Sequence, residues 1–178
     1  MADASWADWV TAFGTMLAGL AAAAAVVLGW STAKAWREQA RAAREAEVAG
    51  EALVVVLQYL ARLRRMTAMY RNTDHMADDV HVRWEGNVAA ENELKLAIAR
   101  TTAYLPAEAP IFLLSVLAQS SNLYGDQWGW AISMDAGDAS RDDFDRVFGS
   151  HRREVLDELE TQAVALFKPL ARVDHRKK

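Results

Sequence analysis

The sequence contains no cysteine. This absence excludes disulfide frameworks, thiolate zinc sites, iron–sulfur clusters and cysteine nucleophiles. It also gives no sign of an oxidising compartment, and so favours a domain that faces the cytosol. The chain also lacks a large net charge, because its 24 acidic residues are nearly balanced by 20 basic ones and the formal net charge is only −4. The bulk electrostatics therefore does not require a nucleic-acid partner, and we expect none.

The motifs of common enzymes are also missing. No segment shows the alternating, β-branched pattern of a strand, and no glycine-rich phosphate loop occurs. Ser115, Ser120 and Ser121 lie in a helical stretch, without a strained elbow or an indicated histidine or acidic partner. We therefore predict an all-α protein that is not an enzyme, holds no cofactor and offers no identifiable small-molecule substrate site.

A third absence is more informative, because no charged residue lies between Asp8 and Lys34. The run 9–33 is about 25 residues long, which at helical rise is enough to cross a hydrocarbon core of roughly 30 Å. A cleaved signal peptide would carry a basic segment before the run, and no Lys or Arg is found there. Tryptophans flank both ends, as is typical of the headgroup levels. The predicted anchor residues are Trp6, Trp9, Trp30, Lys34, Trp36 and Arg37.

Basic residues follow the run at Lys34, Arg37, Arg41 and Arg44, and none precedes it. Cytoplasmic flanks carry such an excess of Lys and Arg, so we expect the N-terminus outside and the remaining chain in the cytosol. The composition suits a bacterial source, and the predicted location is the inner membrane, in contact with its lipid. The expected segments are an extracytoplasmic stub (1–8), a transmembrane helix (9–33), a helical stalk (34–52), a cytosolic bundle (53–171) and a basic tail (172–178).

Small residues recur along this helix. Close approach of two helix backbones needs such residues, but an alanine-rich segment also produces these spacings by chance. Self-association through the run and an ordinary anchor therefore remain alternatives. The candidate helix-association residues are Gly14, Ala18, Ala22, Ala25, Gly29, Ala42, Ala46 and Ala49.

From Lys34 to about Asn72 there is no proline, and only Gly50 interrupts a helix-favouring run. We therefore expect the transmembrane helix to continue unbroken into a long cytosolic helix. Its apolar positions alternate in spacing between three and four, which is the seam of a helix that packs along its length. The seam residues are Ala42, Ala46, Ala49, Leu53, Val56, Leu60, Leu63, Thr67 and Tyr70. The apolar face widens near Leu53, which favours a bundle of about four helices over a two-stranded coil.

The other helices are predicted from periodicity and breakers. Residues 72–86 are expected to form a polar loop, and a helix is expected over 87–104, ended by Pro106. A third helix begins between Pro106 and Pro110 and loosens at Gly125 and Gly129, and a last one begins near Asp138 or Ser140. The inner face of the second helix is predicted to comprise Leu94, Ala97, Ile98 and Thr101; that of the third, Ile111, Leu114, Leu117, Ala118 and Tyr124; and that of the last, Phe144, Phe148, Val155, Leu159, Ala163, Leu166 and Leu170.

Two clusters carry candidate binding chemistry. The weak metal candidates are His75, Asp78, Asp79 and His81, which together could hold zinc or iron. A polar loop contains such residues by composition, so we do not predict a metal site. The aromatic residues Tyr124, Trp128 and Trp130 form the second cluster. They serve either as an exposed contact surface or as a cap on the bundle core.

These features all concern position and contact. The predicted function is a membrane-tethered scaffold or an accessory subunit of an inner-membrane complex, acting as a homo-oligomer or with other subunits of that complex. The alternative is an oligomeric membrane effector or small channel, for example in phage defence or exclusion, with a bundle that senses a trigger.

Overall fold

The computed structural model describes residues 6–68, 76–138 and 147–172. Every regular element in these ranges is an α-helix, so the all-α prediction is confirmed. The helices are α1 (Trp6–Ala68), α2 (Met76–Glu85), α3 (Val88–Tyr104), α4 (Glu108–Asp135) and α5 (Ser150–Leu170). Contacts divide the chain into two units, Met1–Ala43 and Arg44–Lys178.

Helix α1 contributes to both units as one uninterrupted helix of 63 residues. The expectation that the helix continues unbroken beyond Lys34 is therefore confirmed as far as Ala68. Alanine has the highest helix propensity, which explains the long alanine-rich N-terminal part. Every described side chain of the first unit is exposed.

The core of the second unit is built around a buried stripe of α1. Leucine, alanine and aromatic side chains from α3, α4 and α5 pack against this stripe, with Leu94, Leu113 and Phe167 completely buried among them. The stripe consists of Ala49, Ala52, Val56, Tyr59, Leu60, Leu63 and Met66. Arg64 also ties α1 to α5, because it forms ion pairs with Asp157 and Glu160.

The predicted α1 seam is correct in its centre and needs correction at its edges. Ala42 is exposed and Leu53 is only half-buried, whereas the structure adds Ala52 and Tyr59 to the buried face. The Thr67 side chain and Tyr70 lie outside what the structure describes. The compact unit begins at Arg44, so much of the segment predicted as a stalk belongs to it.

Helix α3 matches its prediction closely. Its buried residues are Leu94, Ala97 and Thr101, and Ile98 is half-buried. Leu105 takes an extended conformation with ψ of 163° because the residue before a proline is disfavoured in the helical region.

Helix α2 corrects the prediction of a polar loop at 72–86. The segment Met76–Glu85 is helical although it is rich in charge. Its Val80 is completely buried against Trp130, Ala131, Val147 and Phe148, which form a second, smaller core cluster. Tertiary packing of this kind stabilises a short helix where propensity alone is marginal.

Helix α4 corrects two predictions. It runs through Gly125 and Gly129 without loosening. Its inward face is also not the predicted one, since Ile111 and Leu114 are 63% and 50% exposed. The buried residues of α4 are Ala109, Pro110, Leu113, Val116, Ser120, Leu123, Gln127, Trp130 and Ala131.

Helix α5 spans Ser150–Leu170. The predicted start of the last helix, near Asp138 or Ser140, leads into residues 139–146, which lie outside the described residues. Phe148, Leu159 and Ala163 are buried as expected, and the structure adds Leu156 and Phe167. Val155, Leu166 and Leu170 are half-buried, and Phe144 lies outside the described residues.

Replacing Gly125 with alanine is expected to stabilise the fold. A side-chain carbon at this position meets no heavy atom within 4 Å, and alanine is favoured over glycine inside a helix by about 0.8–1 kcal/mol. Denaturant unfolding of the full-length chain in detergent measures the change. Gly137→Ala is the matched control and should lower stability, because Gly137 has a φ of 79°. Equal effects of the two substitutions would contradict the helical placement of Gly125.

Candidate functional site

The N-terminal part of α1 has the length and composition to cross a membrane. A core helix of a soluble protein passes the same test, but it would be mostly buried. Here the most apolar 18-residue window of the helix is 0% buried. The flanking indoles of Trp6, Trp9, Trp30 and Trp36 are exposed as well. This uncovered apolar surface is therefore a candidate contact surface.

The four threonine and serine hydroxyls in the apolar part of α1 are satisfied within the helix itself. Thr11 Oγ1 donates to the carbonyl of Ala7 and Thr15 Oγ1 donates to the carbonyl of Thr11, each with an oxygen–oxygen distance of 2.8 Å. Near the other end, Ser31 Oγ and Thr32 Oγ1 both donate to the carbonyl of Leu28, at oxygen–oxygen distances of 2.9 and 2.8 Å. Polar groups in a hydrocarbon layer need internal partners of this kind. The four hydroxyls are therefore compatible with a lipid environment.

The predicted helix-association residues fall into two groups. A side-chain carbon placed on Gly14 or Gly29 would meet no heavy atom within 4 Å, and Ala18, Ala22 and Ala25 are exposed. This part of the helix is therefore open to a neighbour.

The three alanines at the C-terminal end of this set differ from the others in their burial. Ala42 is exposed, but Ala46 and Ala49 are 8% and 0% exposed. Ala49 belongs to the principal core, so its small side chain accommodates helices of the same chain. We therefore remove Ala46 and Ala49 from the surface open to a second protomer.

The cations after the apolar run are partly paired. Lys34 Nζ lies 4.0 Å from Glu38, and Arg44 Nη1 lies 2.6 Å from Glu47. The Arg44 guanidinium also stacks over the Tyr104 ring, 5.6 Å from its centroid. These exposed pairs are individually weak, so they leave the cations available to anionic headgroups.

A buried polar layer joins three helices inside the bundle. The Tyr59 hydroxyl of α1 lies 2.5 Å from Ser120 Oγ of α4. Asn87, at the start of α3, donates its side-chain amide to the Tyr59 oxygen over 3.5 Å. All three residues are nearly inaccessible to solvent. Burial raises the pKa of Tyr59 above 10.0, with the hydrogen bond between Tyr59 and Ser120 acting in the opposite direction.

A second buried polar contact involves Gln127, which lies seven residues after Ser120 on α4. Trp84 Nε1 donates to Gln127 Oε1 over 3.1 Å, which links α2 to α4. Gln127 Nε2 and Asn87 Oδ1 are buried without a hydrogen-bond partner. Buried amides cost stability when unpaired, so the hydrogen bonding of these two side chains is only partly satisfied.

Tyr59→Phe is expected to destabilise the bundle by about 1–3 kcal/mol, because it leaves the buried Ser120 hydroxyl and Asn87 amide without their partner. Unfolding of the full-length chain at neutral pH measures the loss. Tyr104→Phe is the control and should change stability by less than about 0.5 kcal/mol, because Tyr104 is exposed. An equal effect of both substitutions would contradict the buried layer.

The contribution of Tyr59 to the stability of the fold should depend on pH, and its direction follows from the pKa shift. Because the pKa of Tyr59 is raised in the fold, its contribution to stability is complete below pH 10.0 and is lost as the pH rises above that value. The stability difference between the wild type and Tyr59→Phe should therefore shrink in alkaline solution. A constant difference through this range would contradict the burial of the phenol.

The predicted aromatic cluster lies on the bundle core. Trp130 is buried and packs edge-to-face on Phe148, with ring centroids 5.1 Å apart. Tyr124 and Trp128 are half-buried, and the Tyr124 ring lies 4.9 Å from that of Trp84. This placement favours the capping alternative and corrects the idea that Trp130 is an exposed contact.

The metal candidates are only partly within the described chain. His75 lies outside it, and the Asp78 and Asp79 side chains are not described. His81 Nε2 lies 3.3 Å from Glu85, and its ring lies 5.6 Å from that of Trp128. Among the described residues no group of three ligand-type side chains comes together.

Two basic residues in the C-terminal part of α1, Arg62 and Arg64, have structural partners. Arg62 Nη2 donates to the carbonyl of Gly86 over 2.7 Å, and Arg64 pairs with two carboxylates of α5. These contacts fix α1 to its neighbours.

Comparison with known protein families, with curated proteins and with solved structures finds no match for this chain.

Proposed function

We propose that this chain is a single-pass protein of a bacterial inner membrane, with its N-terminus outside and its helical bundle in the cytosol. The observation that carries the proposal is the apolar part of α1, which is long enough to span a bilayer and is 0% buried. Exposed apolar surface of this extent is unfavourable in water, and lipid covers it. The cations that follow it support the proposed orientation.

We further propose that the bundle acts by contact, as a scaffold or as an accessory subunit of a membrane complex. Support comes from the way its buried polar groups are used. Tyr59, Ser120 and Asn87 bond to one another between helices, and Trp84 bonds to Gln127. Such interhelical bonds favour one packing arrangement over others, which suits a protein whose role is to present a defined surface.

Purification of the full-length protein from its native host in mild detergent tests this role. The mass of the particle and the identity of co-purifying chains are measured. A homo-oligomer or a stable foreign partner is expected, whereas a monomer without partners would contradict the proposal. Phe167→Ala is the matched variant, because it disrupts the bundle core and leaves the apolar part of α1 unchanged. A contact made by the bundle is lost in this variant, while a contact made only by α1 persists.

The second candidate is an oligomeric membrane effector or channel. It is favoured by the open small-residue positions of α1, since a side-chain carbon on Gly14 or Gly29 would meet no heavy atom within 4 Å. Several such helices can approach closely around a pore. Membrane depolarisation on expression would support this candidate, and unchanged membrane potential would support the scaffold.

A further inference from the structure

Three cations lie on one face of α1 directly after its uncharged run. They are Lys34, Arg37 and Arg41, separated by three and four residues. Residues with this spacing are neighbours on a helix surface, and all three side chains are exposed. Val27 and Trp30 continue the same face into the apolar run, again in steps of three and four residues, and they are 67% and 75% exposed. This face of α1 therefore passes from apolar surface through an indole to cations.

The two cations nearest the apolar run are weakly engaged within the chain. Lys34 Nζ lies 4.0 Å from Glu38, and the two side chains are 71% and 70% exposed, so water and salt readily weaken this ion pair. Arg37 forms no hydrogen bond or ion pair with any other residue that the structure describes. Lys34 and Arg37 are therefore open to an anion from outside the chain.

The distance of these cations from the apolar run corresponds to the headgroup layer of a bilayer. For a helix along the bilayer normal, Lys34 lies about 1.5 Å and Arg37 about 6 Å beyond Ala33, the last residue of the run. The headgroup layer on each side of the hydrocarbon core is roughly 5–8 Å thick. Arg44 lies about 16 Å beyond Ala33 and so falls outside this layer. When the run fills the hydrocarbon core, Lys34 and Arg37 therefore lie at the level of the lipid phosphates.

We propose that Lys34 and Arg37 bind the headgroup of an anionic phospholipid of the phosphatidylglycerol class. This inference rests on the proposed membrane anchor. Residues 34–41 contain three cations and one carboxylate, a net charge of +2 that complements an anionic headgroup and gains less from a zwitterionic one. The Arg37 guanidinium offers paired N–H donors to two phosphate oxygens, and the Lys34 ammonium adds a compact positive charge beside them.

The surroundings of the two cations favour a lipid over a soluble phosphate. Exposed cations on a single helix hold a small anion only weakly against water. A lipid brings a second contact, because its acyl chains lie against the exposed Val27 and Trp30 side chains of the same face. A lipid is also held beside the helix by the bilayer, which raises its effective concentration and compensates for a weak headgroup contact.

Competition between two lipids tests the headgroup site. The full-length protein in mild detergent is mixed with equal amounts of phosphatidylglycerol and phosphatidylcholine, and the lipids that it retains after gel filtration are counted by mass spectrometry. Phosphatidylcholine is the reference, because it carries the same phosphate without a net charge. Phosphatidylglycerol should be retained about tenfold over phosphatidylcholine, a ratio that corresponds to about 1.4 kcal/mol. In the double variant Lys34→Gln with Arg37→Gln the ratio should fall below about twofold.

Lys95→Gln together with Arg153→Gln is the matched control. Both residues are exposed cations of the bundle, on α3 and α5, and their replacement removes the same two charges. The control should keep the preference for phosphatidylglycerol, and so should the exchange of Lys34→Arg with Arg37→Lys, which retains both charges. Equal retention of the two lipids by the wild type would overturn the proposal. A loss of the same size in the control would overturn it as well, because the preference would then reflect net charge alone.

Two further measurements separate the headgroup site from the membrane anchor and from a soluble phosphate. The wild-type protein is reconstituted into vesicles of phosphatidylcholine, with and without an equal amount of phosphatidylglycerol, and the vesicles are washed with carbonate. Release from both kinds of vesicle contradicts the anchor, and the headgroup site with it. A protein that stays in both, but retains the two lipids equally in detergent, contradicts the headgroup site alone. Displacement of retained phosphatidylglycerol by inorganic phosphate at constant ionic strength would assign the cations to a soluble anion and overturn the lipid as the ligand.

Discussion

Arginine at both Leu20 and Ala24 is expected to remove the full-length chain from the membrane fraction. Both positions lie near the centre of the uncharged run, where each arginine costs about 2.5–3.5 kcal/mol on insertion, and the pair therefore about 5–7 kcal/mol. Both side chains are exposed in the structure, so the substitutions do not disturb the bundle core. The protein should appear in the soluble or aggregated fraction, as measured by centrifugation and immunoblotting.

The control carries the same two charges on the bundle. Val54 and Leu96 are 54% and 62% exposed, and arginine at both positions should leave the chain in the membrane fraction. If the Leu20 and Ala24 variant also remained fully membrane-bound, the anchoring role of the N-terminal part of α1 would be contradicted.

Phe167→Ala is expected to lower the free energy of unfolding of the bundle by about 3–5 kcal/mol. Phe167 is completely buried and contacts the Phe112 ring edge-to-face, with centroids 6.2 Å apart. Its removal leaves a cavity where α1, α4 and α5 meet. Denaturant unfolding of the full-length protein in detergent, followed by tryptophan fluorescence, measures the loss.

Val54→Ala is the matched control, because Val54 is an exposed apolar residue of α1. It should change the stability by less than about 0.5 kcal/mol. A loss of less than about 1 kcal/mol for Phe167→Ala would show that this residue is not part of a packed core.

Periodicity predicted α3 and the centre of the buried face of α1 well, because each of these has one dominant apolar face. It failed for α4, where Ile111 and Leu114 mark one stripe and Leu113 and Val116 mark another. Both stripes have helical spacing, and spacing does not determine which one faces the core. Only the packing of the other helices decides this, and it places Leu113 inside.

Helix α2 and the buried polar layer depend on contacts that are distant in sequence. The segment Met76–Glu85 is polar, and the helix becomes evident only when Val80 is packed under Trp130. Tyr59 and Ser120 are 61 positions apart, so their hydrogen bond requires the relative placement of α1 and α4. The one sequence signal for this layer is that Tyr59 lies at a three- or four-residue step from Val56 and Leu63 on the buried face.

Local composition does not show which alanines of α1 are buried. An alanine side chain buries little area wherever it lies, so the seam pattern does not separate the exposed Ala42 from Ala46 and Ala49, which are buried. In the structure these alanines lie where helices pack closely, and a side-chain carbon on Gly50 would lie 4.0 Å from the Ala171 side chain at the end of α5. Small residues are therefore part of the core here, because they let helix backbones approach.

Carbonate extraction of the full-length protein from native membranes is the most direct measurement of whether α1 resides in lipid. We expect the protein to stay with the membrane pellet at alkaline pH and to be released only by detergent. Release into the supernatant by carbonate or by salt would contradict the membrane anchor.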